Sequence, residues 1–272
     1  ADVDSFIALQ DQMINLPLIQ SHRIPIKVHQ LVMGIVNRIK RRIDKNWKPK
    51  TNEGSLRKYY DVDKVDMSSG EWLVLARTKH MLKEVEDTLY LKGLYYETKH
   101  KRNYEKNIQE AATDWEHLRQ GQLLSYKQIE KIYEYMSPNH RDKTLMHGMT
   151  KGSFYGIDQL TKDFGLKTKK VWFEAFDDAG SRRIEYLRKM RANGEQLNKK
   201  PRIELSTIHA AKGGECQNVV LLTDLTKTTV GNYEDTHNFQ DDEHRLYYVG
   251  ATRTKENLHI IEPKQYNKGY II

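Results

Sequence analysis

The chain has 272 residues, 30% of them charged and 38% hydrophobic, with a formal net charge of +8. That length can bury one or two cores, and no apolar run approaches the roughly 20 residues that cross a bilayer as a helix, so no membrane partner is expected. The one cysteine, Cys216, excludes an internal disulfide and fits a reducing cytoplasm, while the basic balance is compatible with nucleic acid without identifying it.

In chain order, the sequence starts at Ala1 with no methionine and no secretory pattern. Pro25 suits a helix start, and Val28, Val32, Ile35, Ile39 and Ile43 recur at three- and four-residue steps, which predicts a helix burying that face. Arg38, Lys40, Arg41, Arg42 and Lys45 follow near its end, where cations suit the dipole, and read as a solvated face. Residues 46–70 read as polar and irregular; Trp47-Lys48-Pro49-Lys50 within them reads as a surface loop, with DNA contact as the alternative. A β-α-β unit follows: a strand at Trp72–Ala76, a helix face of Leu82, Val85 and Leu89, Gly93 as its cap, and a second strand starting at Leu94–Tyr96.

From 99 to 200 the texture changes to short amphipathic helices, predicted at Tyr104–Arg119, Ser125–Met136, Ile157–Phe164, Lys169–Ala179 and Arg182–Ala192. Tyr126, Tyr133, Tyr135, Trp172 and Phe173 read as core rather than as base-stacking platforms. The last helix carries Arg182, Arg183, Arg188, Lys189 and Arg191, a set able to follow a phosphate backbone.

The most informative stretch comes last. It reads IELSTIHAAKGGECQNVVLLTD from Ile203 and DDEHRLYYVGATRTKENLHII from Asp241. Ile203–Leu205 and Val219–Leu222 predict buried parallel strands. The loop between them carries Thr207, His209, Lys212, Gly213, Gly214 and Glu215, and loops at strand ends of open α/β sheets are where ligands sit. Glu243, Arg245, Tyr248 and Arg253 fall on or just after a predicted helix, and Leu258–Ile261 is a further strand. Neither a nucleophile–His–acid set nor metal-ligand spacing is visible, so no metal ligand is assigned.

Thr-Ile-His-Ala-Ala-Lys-Gly-x-Glu at 207–215 and Tyr-Val-Gly-Ala-Thr-Arg at 248–253 together resemble motifs V and VI of superfamily 1A DNA helicases of the UvrD/Rep/PcrA type. Ala1–Leu9 resembles the run that follows motif III in that family, and Gln20-Ser21-His22-Arg23 resembles motif IV. The resemblance implies an α/β fold: a RecA-like parallel sheet flanked by helices, of the P-loop NTPase type but lacking the P-loop itself, with an α-helical insertion. Residues 1–98 and 201–272 would form the two parts of the motor domain, and 99–200 a reduced version of the family's 2B insertion or a substitute helical lobe. No GxxxxGK[ST] loop occurs, so the chain is expected to be the C-terminal part of a longer helicase whose N-terminal RecA-like domain is missing here and binds most of the ATP and Mg2+.

Phosphoryl transfer needs positive charge aimed at the migrating γ-phosphoryl group, and arginine presents a permanently charged, two-pronged donor. The resemblance makes Arg253 the arginine finger and Arg23 a second catalytic arginine. It places Glu215 on the ribose, Gly213 against the phosphates, and His22 where relatives stack a tyrosine on adenine. Thr207 and His209 would face single-stranded DNA. Arg77 would lie near the DNA backbone, or else stand solvated beside a helix-capping Thr78. Arg245 is expected to buttress the fold through a carboxylate. Gly214 and Cys216 stand where relatives often carry Leu and Phe. The implied activity is ATP-driven movement on single-stranded DNA in repair or replication, with this chain alone inactive. The alternatives are a degenerate DNA-binding or protein-docking module, and the motor part of a helicase–nuclease.

Overall fold

The computed structural model describes Ser5, Ala8 and residues 18–44, 46–99, 104–196, 199–211, 213–235 and 237–272. The rest of the Ala1–Leu9 run, Lys45 and Lys212 lie outside the described residues. The elements run α1 (Ile26–Val36), β1 (Ser55–Tyr59), β2 (Trp72–Ala76), α2 (Leu82–Lys92), β3 (Tyr96–Thr98), α3 (Tyr104–Arg119), β4 (Leu124–Ser125), α4 (Tyr126–Tyr133), β5 (Phe154–Tyr155), α5 (Ile157–Asp163), α6 (Trp172–Ala175), α7 (Ser181–Ala192), β6 (Ile203–Thr207), β7 (Cys216–Leu222), α8 (Lys227–Asp235), α9 (His237–Ala251) and β8 (Thr254–Ile261). The chain forms two compact units, one of Ala1–Thr88, Tyr96–Lys99 and Arg202–Ile272, the other of Leu89–Tyr95 and His100–Pro201.

The first unit is built on a six-stranded sheet in the order β1-β8-β7-β2-β6-β3, with every pairing parallel. Every residue of β2 is buried, which explains its unbroken Trp-Leu-Val-Leu-Ala run: a central parallel strand is covered on both faces. Trp72 stands beside Ile203 on one side and Asn218 on the other, so β6, β2 and β7 start level. Residues 208–215 therefore carry the chain from the carboxyl edge of the sheet, where β6 ends, back to the amino edge, where β7 begins. Helix α9 makes the same return before β8.

Helix α1 buries Val28, Val32 and Ile35 in one core with Ile208, Val219, Leu221, Tyr247 and Leu258. Its first-turn N–H groups, lacking intrahelical partners, donate instead from Ile26 and Lys27 to the carbonyls of Asn52 and Glu53, at 3.0 Å each. The predicted apolar face overran the helix. The helix stops at Val36; Ile39 is still buried, but Ile43 is exposed, because the N–H groups of Lys40 and Arg41 turn to the Asp241 carboxylate at 2.8 Å each. The stretch read as irregular contains β1, which pairs with β8, and a short 3-10 turn at Val62–Lys64. Strand β1 was hidden because an edge strand is half exposed, and its Ser-Leu-Arg-Lys-Tyr sequence lacks a clean alternation.

The second unit is helical, with a two-stranded antiparallel pair of β4 and β5. Its core includes Trp115, Ile129, Tyr133, Phe176 and Met190, all buried. Of the aromatics read as core, Tyr133 and Trp172 are buried, while Tyr126, Tyr135 and Phe173 are half-buried. The predicted Lys169–Ala179 helix contracts to one turn at Trp172–Ala175, since the Lys169 and Lys170 carbonyls accept from Arg119 Nε and Trp115 Nε1 at 2.9 Å rather than from a helix. Three of the five cations of the basic helix α7 lie over rings: Arg182 over Tyr90, Arg188 over Phe173 and Arg191 over Trp172, at 4.9, 4.5 and 4.9 Å.

Candidate functional site

Two segments distant in sequence meet at the amino edge of the sheet. In the first, Ser21 Oγ accepts from the N–H groups of Arg23 and Ile24, at 3.3 and 3.1 Å, and Ser21 N donates to the Lys48 carbonyl at 2.8 Å. This turn holds Arg23 one step before buried Ile24 and Pro25. Gly54 presses against Pro25 with a φ of +67°; an added Cβ would lie 2.4 Å from Pro25 Cβ. In the second segment, α9 ends and Arg253 N donates to the Gly250 carbonyl at 3.2 Å. The Arg253 carbonyl accepts from Cys216 N at 3.0 Å, which fastens it to the start of β7 and places it beside Glu215.

The side chains then converge. Arg23 Nη1 donates to Glu215 Oε2 at 3.4 Å, and Lys255 Nζ lies 2.7 Å from Glu215 Oε1. Arg253 donates from Nη1 to the Gly214 carbonyl at 3.2 Å and from Nε to the Val249 carbonyl at 3.0 Å. Burial, then the charge of Arg23, lowers the pKa of Arg253, with Glu215 opposing. Lys255 does most to hold the Glu215 carboxyl below the usual carboxylate range, with Arg23 assisting against partial burial. Burial raises the Tyr248 phenol against the charges of Arg23 and Arg253, so it stays a neutral donor at pH 7.

Beside this cluster opens a cleft of about 830 Å³ whose walls include His22, Arg23, Lys50, Glu71, Glu215 and Lys255. His22 is exposed. Arg23 Nε is buried and has no hydrogen-bond partner among the described residues. An uncommitted donor on a permanent cation, with two lysines in the same walls, suits a phosphate-bearing ligand. Gly213 adopts a φ of +89° with nothing within 4 Å of an added Cβ, so glycine is required there by the left-handed backbone. Among the described residues no group of three or more His, Cys, Asp or Glu side chains could hold a metal ion.

The other candidate residues sit at the opposite, carboxyl edge. Thr207 ends β6, and its Oγ1 accepts from Ala210 N at 3.3 Å. His209 is exposed; burial of part of its ring and the charge of Arg77 lower its pKa, with Glu243 opposing. Arg77 is not held out into solvent. It donates from Nε and Nη2 to Glu243 Oε1 at 3.0 and 2.8 Å, and the Glu243 side chain is only 3% exposed. The Thr78 hydroxyl is buried with no hydrogen-bond partner among the described residues, so it caps no helix there. Arg245 donates to Asp242 Oδ1 at 2.8 Å and to the Arg41 carbonyl at 2.7 Å.

A model of the UvrD-like helicase C-terminal domain matches residues 79–265. The chain belongs to that family. Its parallel sheet with flanking helices is the RecA-like fold of such domains. UvrD-like helicases use ATP and Mg2+ and act on DNA. A search of curated proteins returns no match.

In this helicase domain the two groups of candidate residues are joined by two stretches that cross the sheet. Residues 208–215 lead from Thr207 and His209 to Glu215, and α9 leads from Glu243 to Arg253. The general rule for open α/β sheets points to the carboxyl edge, yet the arginine cluster lies at the amino edge because each stretch delivers its last residue there. Sequence reasoning missed Lys255. No periodic signal marked it, since the predicted strand starts at Leu258 whereas β8 begins at Thr254. The 18-residue apolar helix needed to cross a membrane does not occur among the described residues.

Proposed function

We propose that this domain forms one wall of the ATP site of a DNA helicase, the other wall being an N-terminal RecA-like domain of the same protein. Arg253 serves as the arginine finger and Arg23 as the second arginine, both directed at the γ-phosphate. The observation that carries this reading is the convergence of Arg23 and Arg253 on the Gly214–Glu215 turn from opposite ends of the chain. Burial and the neighbouring charge of Arg23 both disfavour the charge on Arg253, and a polyanion relieves that repulsion. Among the described residues the Arg23 side chain is held by one long, half-exposed contact, to Glu215, so its release towards phosphate costs little. Glu215 then accepts from the ribose hydroxyls, Gly213 keeps the turn open to the phosphates, and His22 offers a ring face to the base. When bound, ATP with Mg2+ supplies the phosphoryl chemistry, and the chain's own residues bind, orient and neutralise.

Thr207 and His209 are proposed to meet single-stranded DNA at the carboxyl edge. Arg77 contributes there by fixing Glu243 and the start of the path through α9 that ends at Arg253. Closure of the nucleotide cleft and movement on DNA, 3′ to 5′ as in the family, are then linked through one rigid helix. The test is turnover by the purified chain, which should hydrolyse no ATP above background because half the site is supplied elsewhere. Turnover that disappears in Arg253→Ala would overturn the two-domain reading.

A further inference from the structure

We propose that Lys255 is a positioning residue for nucleotide: it holds the Glu215 carboxylate in place while Arg23 leaves that carboxylate for the ligand. The inference rests on the reading that Glu215 and the two arginines face a nucleoside triphosphate, and it adds a residue and an order of events to it.

The two oxygens of Glu215 are divided between two cations. Oε1 faces Lys255 at 2.7 Å, and Oε2 faces Arg23 at 3.4 Å. Both contacts are charge-assisted, but the one to Lys255 is the shorter, and Lys255 is the main influence lowering the Glu215 pKa. Turning the Nη1 prong of Arg23 from the carboxylate to a phosphate in the cleft gives up Oε2. The carboxylate then has one oxygen free to accept from a sugar hydroxyl, but its terminal torsion is soft and its surroundings are open. Lys255 on Oε1 removes that freedom and leaves the lone pairs of Oε2 directed at the cleft.

The position of Lys255 is fixed by the backbone. It is the second residue of β8, the pairing of Cys216 with Thr254 sets it beside the Glu215 turn, and its carbonyl accepts from Lys50 Nζ. Its own side chain is 42% exposed, so the fold does not depend on it. A second cation on the carboxylate also explains how Arg23 can depart without leaving Glu215 unpaired beside Glu71 and Glu256, which line the same cleft.

The experiment measures steady-state ATP hydrolysis by the full-length enzyme carrying Lys255→Met, Lys255→Arg, Glu215→Ala or Glu215→Ala with Lys255→Met. Lys255→Met is expected to raise KM for ATP about tenfold with kcat within about twofold, the pattern of lost binding rather than lost transition-state contact. Lys255→Arg, which retains the cation, is expected to stay within about threefold of the parent KM. In the Glu215→Ala background the second substitution is expected to change KM by less than about twofold, because Lys255 acts through that carboxylate. An unchanged KM in Lys255→Met alongside a raised KM in Glu215→Ala overturns the role of Lys255 alone. An unchanged KM and kcat in both Glu215→Ala and Arg253→Ala overturns the nucleotide reading on which it stands.

Discussion

Arg77 and Glu243 form a two-pronged ion pair, 2.8 Å at its shortest, that ties the end of β2 to helix α9. The Glu243 side chain is almost fully buried, and the Arg77 guanidinium is its ion-pair partner among the described residues. Arg77→Ala is therefore expected to destabilise the domain by about 3–5 kcal/mol, since it leaves a buried carboxylate unpaired. Replacing both partners by Met should recover most of that loss. Urea unfolding of the single and double variants measures the difference, and equal losses in both would mean the pair matters only through packing.

Gly54 gives a second test, of how Arg23 is held. Its left-handed backbone would cost any other residue about 1–2 kcal/mol, and an added Cβ would also collide with Pro25 and with the Glu256 carbonyl. Gly54→Ala should lower the thermal midpoint and displace the segment that carries Arg23, with reduced ATP turnover in the full-length enzyme. A variant that melts and turns over like the parent would show that this strap does not position the arginine.

Stability should also depend on pH through His259, which is buried beside Tyr59 and Trp72. Burial, then the charge of Arg57, pushes its pKa from 6.5 down to about 4. Between those values the unfolded chain takes up a proton that the folded chain refuses, so stability falls as pH drops through the window and levels off below it. The loss should approach about 3 kcal/mol. His244, lowered by burial and by Arg38, contributes in the same direction. Denaturant unfolding at pH 7 and pH 4.5 should show the slope, and His259→Phe should remove most of it.

The basic helix of the second unit yields a prediction of the opposite kind. Arg191 lies over the Trp172 ring, and burial lowers its pKa. Arg191→Ala should cost about 1–2 kcal/mol of stability through lost stacking and stem packing. It should leave the salt dependence of single-stranded DNA binding unchanged, whereas removing a phosphate contact would reduce the slope by about 1.

Much of the first unit was legible because its signals are local. The unbroken apolar run of β2 and the i, i+3, i+4 face of α1 each follow from one element burying one surface. Strand β1 was not legible, because at an edge the hydrogen bonds from β8 do what side-chain burial does in the centre. The Arg77–Glu243 pair was hidden for a related reason: 166 positions separate the partners, and only the packing of α9 against the end of β2 brings them together. Arg23 and Arg253 could be named from their motifs, but Lys255, the second cation on Glu215, could not, since its importance arises from where β8 begins. In α7 the composition allowed contact with a phosphate backbone, while three of its four arginines lie over rings.

The central claim is that Arg23 and Arg253 act on one phosphoryl group. Its most direct test is kcat for DNA-stimulated ATP hydrolysis by the full-length enzyme carrying Arg253→Ala, with affinity for a fluorescent nucleotide measured in parallel. The account predicts a fall in kcat of about 10³–10⁵ with only a modest loss of nucleotide affinity, and a comparable fall for Arg23→Ala. A kcat for Arg253→Ala within about tenfold of the parent would contradict it.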